Sequence, residues 1–384
     1  MTPPQRLHAG RTTYDLYMSA NQDQQQLDQT WKYRIKRWRR GLRARLSLWA
    51  ARRYGTPEAK PAPLANPPDR ILVCRLNKRL GNVLFLTPLL ASLAASFPKA
   101  QIDVLLLEKI HGDLLRNLPG IGQVWALPAK PGLHPLAFIG LIRKLRQRRY
   151  DLVIDPNIIS VSNRVGVLLS GAKQRLGFAG EDQWLRLDYS VPPPHGEAHQ
   201  ALQALQLFEQ GFTNFTPTRI EHYRVAPGEH AKRAAAKNWQ AAFENTPPDG
   251  PVIGFFIQAT GAKQLPKQWW QDWLAAIQAN ADAPTLVQLL PPGDSPALTP
   301  ELATLRVSAL DELAATLSHL QLFIAADSGP MHLAAAAGVP TLGLFRATNV
   351  DAYRPLGHGC STLDGDDLKP ITVAKRALVQ LSAT

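Results

Sequence analysis

The chain has 384 residues, 45% of them hydrophobic and 19% charged, with 32 Pro and 26 Gly, which is globular composition and length enough for two domains. A disordered polymer, a collagen and a coiled coil are excluded. The net charge of +13 suggests a polyanionic partner until it is mapped: Lys32, Arg34, Lys36, Arg37, Arg39, Arg40, Arg43, Arg45, Arg52 and Arg53 lie within one short segment, and without them 33 basic residues face 30 acidic ones. No basic track continues into the body, which argues against a nucleic-acid partner.

Residues 1–69 read as an N-terminal extension. The first 30 are polar and Gln-rich without a sustained period, so composition predicts a mobile segment. In residues 31–53, Trp31, Ile35, Trp38, Leu42, Leu46 and Trp49 recur at spacings of three and four, which places them on one stripe of a helix. Tryptophan on one side, arginine on the others and no acid to pair them predict an interfacial helix lying on an anionic membrane surface; the competing reading is a surface helix packed on its own domain. The stretch TPEAKPAPLANPPD follows as a linker. The longest nearly uninterrupted apolar run, Leu333 to Phe345, is 13 residues with Gly338, Pro340 and Gly343 inside it, short of the roughly 18 that span a bilayer. With no secretory pattern at the N-terminus, the reading is a cytoplasmic chain. Cys74 and Cys360 make neither a disulfide framework nor a metal-ligand pattern, so no cofactor is expected.

From Arg70 onward, apolar runs alternate with helical patterns. Ile71–Arg75, Ile102–Leu107, Gln123–Leu127 and Leu152–Asp155 read as strands, with helices over Val83–Phe97 and Pro135–Arg148 between them. A second series starts at Val252–Gln258 and runs through Thr285–Leu290, Leu322–Ala325 and Thr341–Phe345. This alternation predicts an α/β protein of two doubly wound, Rossmann-like domains facing a cleft, an acceptor-side domain over residues 70–225 and a donor-side domain over 226–384. In such sheets ligands sit beyond the carboxyl ends of the strands.

The segment QLFIAADSGPMHLAAAAGVPTLGLF, residues 321–345, reads almost residue by residue. A strand ends before Asp327 and Ser328, either of which caps the next helix, and Pro330 sits where a missing N–H is tolerated. Gly338 ends the helix and Pro340 stops its resumption. Free amides at Ser328, Gly329 and Met331 would then make a phosphate site, with Asp327 placed for a sugar hydroxyl and His332 for a phosphate oxygen. The bland reading is that Asp327 only caps the helix and His332 packs beneath it.

This segment, from Asp327 to Phe345, resembles the donor-site motif of the heptosyltransferases, glycosyltransferase family 9. RILVCRLNKRLGNVLFLTPLLASLAASFPKAQIDVLL resembles the opening strand, loop and helix of that family, and DLVIDPNIISVSNRVGVLLSGAKQRLGF is similar to its fourth-strand region. The resemblance runs from about residue 70 to the C-terminus. It implies a GT-B fold, transfer of heptose from ADP-heptose to the lipopolysaccharide inner core with inversion and without metal, and a lipid-linked anionic saccharide acceptor. Peripheral placement on the inner face of the inner membrane would bring enzyme and acceptor together; the alternative is a non-catalytic relative binding a nucleotide sugar or an assembly partner there.

By that resemblance, Lys267 of the K-x-W element Lys267–Gln268–Trp269 binds donor phosphate, with Lys263 as a competing choice; Thr260 is the hydroxyl residue of the preceding loop and Asp294 the ribose-binding acid. The family's general base is an aspartate in a Gly-Asp pair opening the first helix. Here the pair is Gly81–Asn82, and an amide cannot take a proton at neutral pH. Asp155 and Glu108 are then candidate bases, Asn82 a candidate for orienting the hydroxyl or capping the helix, and Lys78 and Arg79 candidate contacts for an acidic acceptor.

Overall fold

A computed structural model describes residues 60–107, 109–128, 134–158, 160–180, 185–194, 198–244, 246 and 248–383. The expected membrane helix at 31–53, the polar stretch before it and Glu108 lie outside the described residues.

In the first half, β1 (Arg70–Arg75) is followed by α1 (Leu80–Leu84), α2 (Thr87–Ser96), β2 (Gln101–Leu106), β3 (Ile121–Ala126), α3 (Pro135–Gln147), β4 (Leu152–Asp155), α4 (Val161–Ser170), β5 (Gln174–Phe178), β6 (Tyr189–Val191) and α5 (Gln200–Gly211). The strands form one parallel sheet in the order β3-β2-β1-β4-β5-β6. Leu89, Leu90 and Leu93 of α2 and Leu207 and Phe208 of α5 cover one face, and Leu145 of α3 and Val167 of α4 the other.

The second half repeats the plan: α6 (Glu229–Ala242), β7 (Val252–Phe256), α7 (Lys267–Gln278), β8 (Thr285–Leu289), β9 (Ala303–Leu305), α8 (Leu310–Leu317), β10 (Leu322–Ala326), α9 (Gly329–Ala336), β11 (Thr341–Phe345), α10 (Val350–Tyr353), β12 (Ser361–Asp364) and α11 (Pro370–Ser382). Its sheet, again parallel, has the order β12-β11-β10-β7-β8-β9. Trp270 and Trp273 of α7 and Val373 and Ala377 of α11 fill one face, while α8 and α9 fill the other. Both sheets therefore carry the dinucleotide-fold strand order, which reverses between the first and fourth strands of each and opens a crevice there.

Two local differences from the sequence reading have clear causes. The helix expected over Val83–Phe97 is two helices, because Pro88 in the first turn of α2 has no amide to continue the ladder; the Thr87 hydroxyl instead donates to the Leu84 carbonyl at 2.7 Å. The Pro/Ala stretch is held on the first sheet from Lys60 onward, where the Lys60 amide donates to the Ser190 carbonyl at 2.9 Å and the Leu64 amide to Asn214 Oδ1 at 2.7 Å.

The crossover between the halves binds both. The Arg224 amide donates to Thr87 Oγ1 at 3.0 Å, and the Tyr223 and Val225 amides donate to the Leu356 and Ala336 carbonyls, each at 3.1 Å. His199, the N-cap of α5, accepts from the Ala201 amide on Nδ1 at 3.1 Å, so its single proton lies on Nε2 and is donated across the interface to the Arg354 carbonyl, 2.9 Å away. Burial pushes this imidazole down to about 4. Because its folded value lies below its unfolded one, the stability it contributes is complete above about 6.5 and is lost as pH falls toward about 4. Chemical unfolding between those limits should show stability falling with pH, with a shallower slope for His199→Gln; an identical slope would contradict the assignment.

Candidate active site

At the C-terminal end of β10 the chain turns through Asp327 and Ser328 into α9, with Ser328 as N-cap in extended geometry and Pro330 in the first turn. The Ser328 side chain makes no cap hydrogen bond, so the Gly329 and Met331 amides are left without an intrahelical acceptor at the positive end of the helix. The Met331 side chain is buried in the core, which leaves its amide as the group it offers. Ser328 Oγ, Thr348 Oγ1 and His332 Nδ1 are buried without a hydrogen-bond partner among the described residues. Buried polar atoms seldom stay unpaired unless a ligand or water completes them.

Asp327 is 5% exposed and joins two groups. Its Oδ2 accepts from Lys263 Nζ at 3.1 Å, and Oδ1 lies 3.5 Å from His332 Nε2. Burial raises the Asp327 carboxyl, but the adjoining His332 and Lys263 outweigh it and hold the group below the usual carboxylate range. Burial lowers His332, more than Asp327 restores. At neutral pH Asp327 is therefore an ionised carboxylate and His332 a neutral imidazole, with the Lys263 side chain paired to the first.

Lys263 closes a short 3-10 turn, Gly261–Lys263, after β7. Gln264 braces this loop by accepting from the Ala259 amide and donating to the Ile257 carbonyl, and Arg346, after β11, donates to the Gln264 carbonyl at 2.8 Å. Lys263 follows the first strand of the second sheet and Asp327 the fourth, so they face each other across the strand-order reversal. Lys267, the choice suggested by the K-x-W spacing, is instead the exposed first residue of α7. Leu265 is buried and Pro266 caps the helix, so the loop that approaches Asp327 ends before Lys267. Thr260 is exposed at the start of the turn, and Asp294 is exposed in a loop whose Pro291, Gly293 and Ser295 carbonyls accept from Arg306.

The first domain meets this site through α1. A Cβ on Gly329 would stand 3.3 Å from Leu80 Cδ2, and one on Gly81 would stand 3.4 Å from His332 Cδ2; Phe85 meets the His332 ring edge-on at 4.8 Å. Asn82, next to Gly81, is half-buried. Its Oδ1 accepts from Arg75 Nη2 at 3.3 Å and its carbonyl from Arg75 Nε at 3.1 Å, while Arg75 Nη1 donates to Asn157 Oδ1 at 2.7 Å. Burial, partly offset by Asp155, lowers Arg75 to about 10, which leaves it cationic at neutral pH. Lys78 and Arg79 are exposed in the loop before α1.

Asp155 does not fit the base proposed for it. It is fully buried, with Oδ1 accepting from Asn157 Nδ2 at 3.0 Å and Asn163 Nδ2 at 2.9 Å and Oδ2 facing Arg164 Nε at 3.3 Å. Its pairing holds the strand end in place, and removing a proton from an acceptor in the cleft is not open to it.

Two dinucleotide-type domains facing a cleft, with an amide-lined helix mouth and a lysine on one side of it, make up the GT-B architecture. The chain belongs to glycosyltransferase family 9, the heptosyltransferase family, whose model matches residues 138–369. It is 26% identical to lipopolysaccharide heptosyltransferase 3 of Escherichia coli over 296 residues, covering 72% of this chain and 83% of that protein. Among solved structures it is similar to a family 9 glycosyl transferase from Veillonella parvula (TM-score 0.71, 20% identity, 82% of this chain and 98% of that one) and to E. coli ADP-heptose lipopolysaccharide heptosyltransferase II (TM-score 0.65, 20% identity, 82% and 99%).

The geometry distinguishes the two lysines. Calorimetric titration with a nucleoside diphosphate should show Lys263→Ala weakening binding about tenfold or more, the scale of a lost charge-assisted hydrogen bond, and Lys267→Ala changing it less than about threefold. The reverse order would return the phosphate role to the K-x-W element.

Proposed function

We propose that the protein transfers heptose from ADP-heptose to a lipid-linked inner-core lipopolysaccharide acceptor, with inversion and without a metal ion. The observation that carries this reading is the helix mouth at Ser328–Met331 with Lys263 beside it. Departure of a nucleoside diphosphate builds negative charge on the β-phosphate, and preorganised amides and an ammonium stabilise charge where it develops. The matched relatives named for heptose transfer in lipopolysaccharide synthesis supply the sugar and the acceptor class.

In this mechanism the amides of Gly329 and Met331 and the Ser328 hydroxyl bind the diphosphate. Lys263 moves between Asp327 and a phosphate oxygen, so Asp327 is freed to accept from a donor sugar hydroxyl. The acceptor oxygen attacks the anomeric carbon from the opposite face and its proton passes to solvent water; the carbon–oxygen bond to the β-phosphate breaks and that bond's electron pair leaves with ADP. Asn82, held by Arg75 through Oδ1, has Nδ2 to offer the acceptor, and its role is to orient the attacking hydroxyl. Arg75 supplies a fixed cation behind it, while Lys78 and Arg79 meet anionic groups of the acceptor. Thr260 and Asp294 border the nucleotide, Asp294 on the ribose. The domains divide at about residue 225, with the acceptor side before it and the donor side after. Location at the inner face of the inner membrane follows from the acceptor, and the basic segment 31–53 gives a sequence-level reason for it.

Calorimetry with ADP-heptose, ADP and UDP-sugars, together with release of ADP on adding acceptor, tests the reading. Binding of the adenosine series with turnover is expected; binding of only the uridine series, or binding without turnover, would contradict it. Asn82→Ala should lower transfer about tenfold, the scale of one lost hydrogen bond to a reacting group, with ADP affinity within about twofold. An equal fall in ADP affinity would remove the orienting role.

A further inference from the structure

Exposed large apolar side chains among the described residues fall on three helices, and four of the six lie on two neighbours in the first domain: Leu136 (84% exposed) and Ile139 (51%) on α3, Val165 (37%) and Leu168 (43%) on α4. At about 100° per residue, Leu136, Ile139 and Arg143 form the outward stripe of α3, opposite Leu141 and Leu145, which pack on the sheet. Val165 and Leu168 likewise lie opposite the buried Asn163 and Val167. The helices are side by side: Arg146 Nε donates to the Leu169 carbonyl at 3.2 Å. Both follow strands of one parallel sheet, so both begin at the cleft edge, and Leu136 and Ile139 occupy the first two turns of α3.

Among the described residues, the charges carried by these two helices have one sign. Neither helix contains Asp or Glu, and Arg143, Lys144 and Arg146 are exposed on α3. Water-facing helices ordinarily mix charges of both signs. A stripe of aliphatic side chains among cations matches a surface that is apolar a few ångströms down and negative at the top, where aliphatic groups enter the acyl boundary and Arg and Lys meet phosphates.

We propose that the outward face of α3 and α4 is a docking surface for an anionic phospholipid bilayer, seating the acceptor side of the cleft at the lipid. The proposal goes beyond the transfer reaction and takes its purpose from the lipid-linked acceptor proposed above. It is separate from segment 31–53, since it uses side chains of the folded acceptor domain.

Sedimentation of the full chain with phosphatidylcholine vesicles containing about one-third phosphatidylglycerol tests it. Leu136→Glu combined with Ile139→Glu should lower the partition coefficient about tenfold or more, and Arg143→Glu with Lys144→Glu should lower it and flatten its salt dependence. Ile371→Glu with Val379→Glu, which alters the exposed apolar pair on α11, should leave it within about twofold. Partition of both α3 variants within about twofold of the parent would overturn the proposal, as would dissociation of a self-associated form by these substitutions with vesicle binding unchanged. Transfer to a soluble, delipidated acceptor saccharide, read on the same proteins, keeps the two readings apart. Its absence in the parent would defeat the proposed reaction, whereas its persistence in the α3 variants together with lost partition supports a docking role.

Discussion

The ion pair between Lys263 and Asp327 organises the molecule's chemistry. An ammonium and a carboxylate, both largely removed from water, sit across the strand-order reversal of the second sheet at the open end of α9. His332 and Lys263 together keep the Asp327 carboxylate charged where burial alone would discourage charge. In the proposed mechanism a phosphate at the helix mouth offers Lys263 a second anion, and the carboxylate released by that exchange accepts from sugar hydroxyls. On that proposal donor binding exchanges one buried ion pair for another, and Ser328 Oγ and His332 Nδ1 are buried without a hydrogen-bond partner among the described residues.

The first domain is held to this site by groups that are neutral at physiological pH. The edge of Phe85 on His332, the contact of Gly81 with the same ring and the His199 hydrogen bond to Arg354 all cross the interface without a formal charge. Such contacts are short-ranged and little screened by salt, and they leave the charge of the cleft to Asp327, Lys263, Arg75 and the exposed cations before α1. The crossover at Tyr223–Val225 gives its amides to both halves, so the relative position of the domains rests on backbone bonds close to the site.

The alternation of strands and helices and most of the α9 entrance were legible in the sequence, because each is a local pattern: an apolar strand, an acid, a serine, a proline in the first turn and a glycine after the last; the side-chain cap expected of Asp327 or Ser328 is not made. The strands β5, β6, β9 and β12 were not. Two of them are three residues long, β5 opens on Gln174 and Arg175, and β12 is half-exposed at a sheet edge, so none carries a hydrophobic period. The choice between Lys263 and Lys267 turns on Pro266, whose place as a helix cap ends the loop just before Lys267 and leaves Lys263, four residues earlier, as the lysine beside Asp327. Asp155 looked available because the side chains that occupy it, Asn163 and Arg164, belong to the following helix, and a sequence does not show which way they turn.

A crystal structure with an ADP-sugar bound would locate the diphosphate relative to Lys263 and α9. Phosphate oxygens are expected within about 3 Å of the Gly329 and Met331 amides, with Lys263 Nζ turned onto the diphosphate and Asp327 facing the sugar. A donor bound with its phosphates elsewhere, and the Lys263–Asp327 pair intact beneath an empty helix mouth, would contradict this placement.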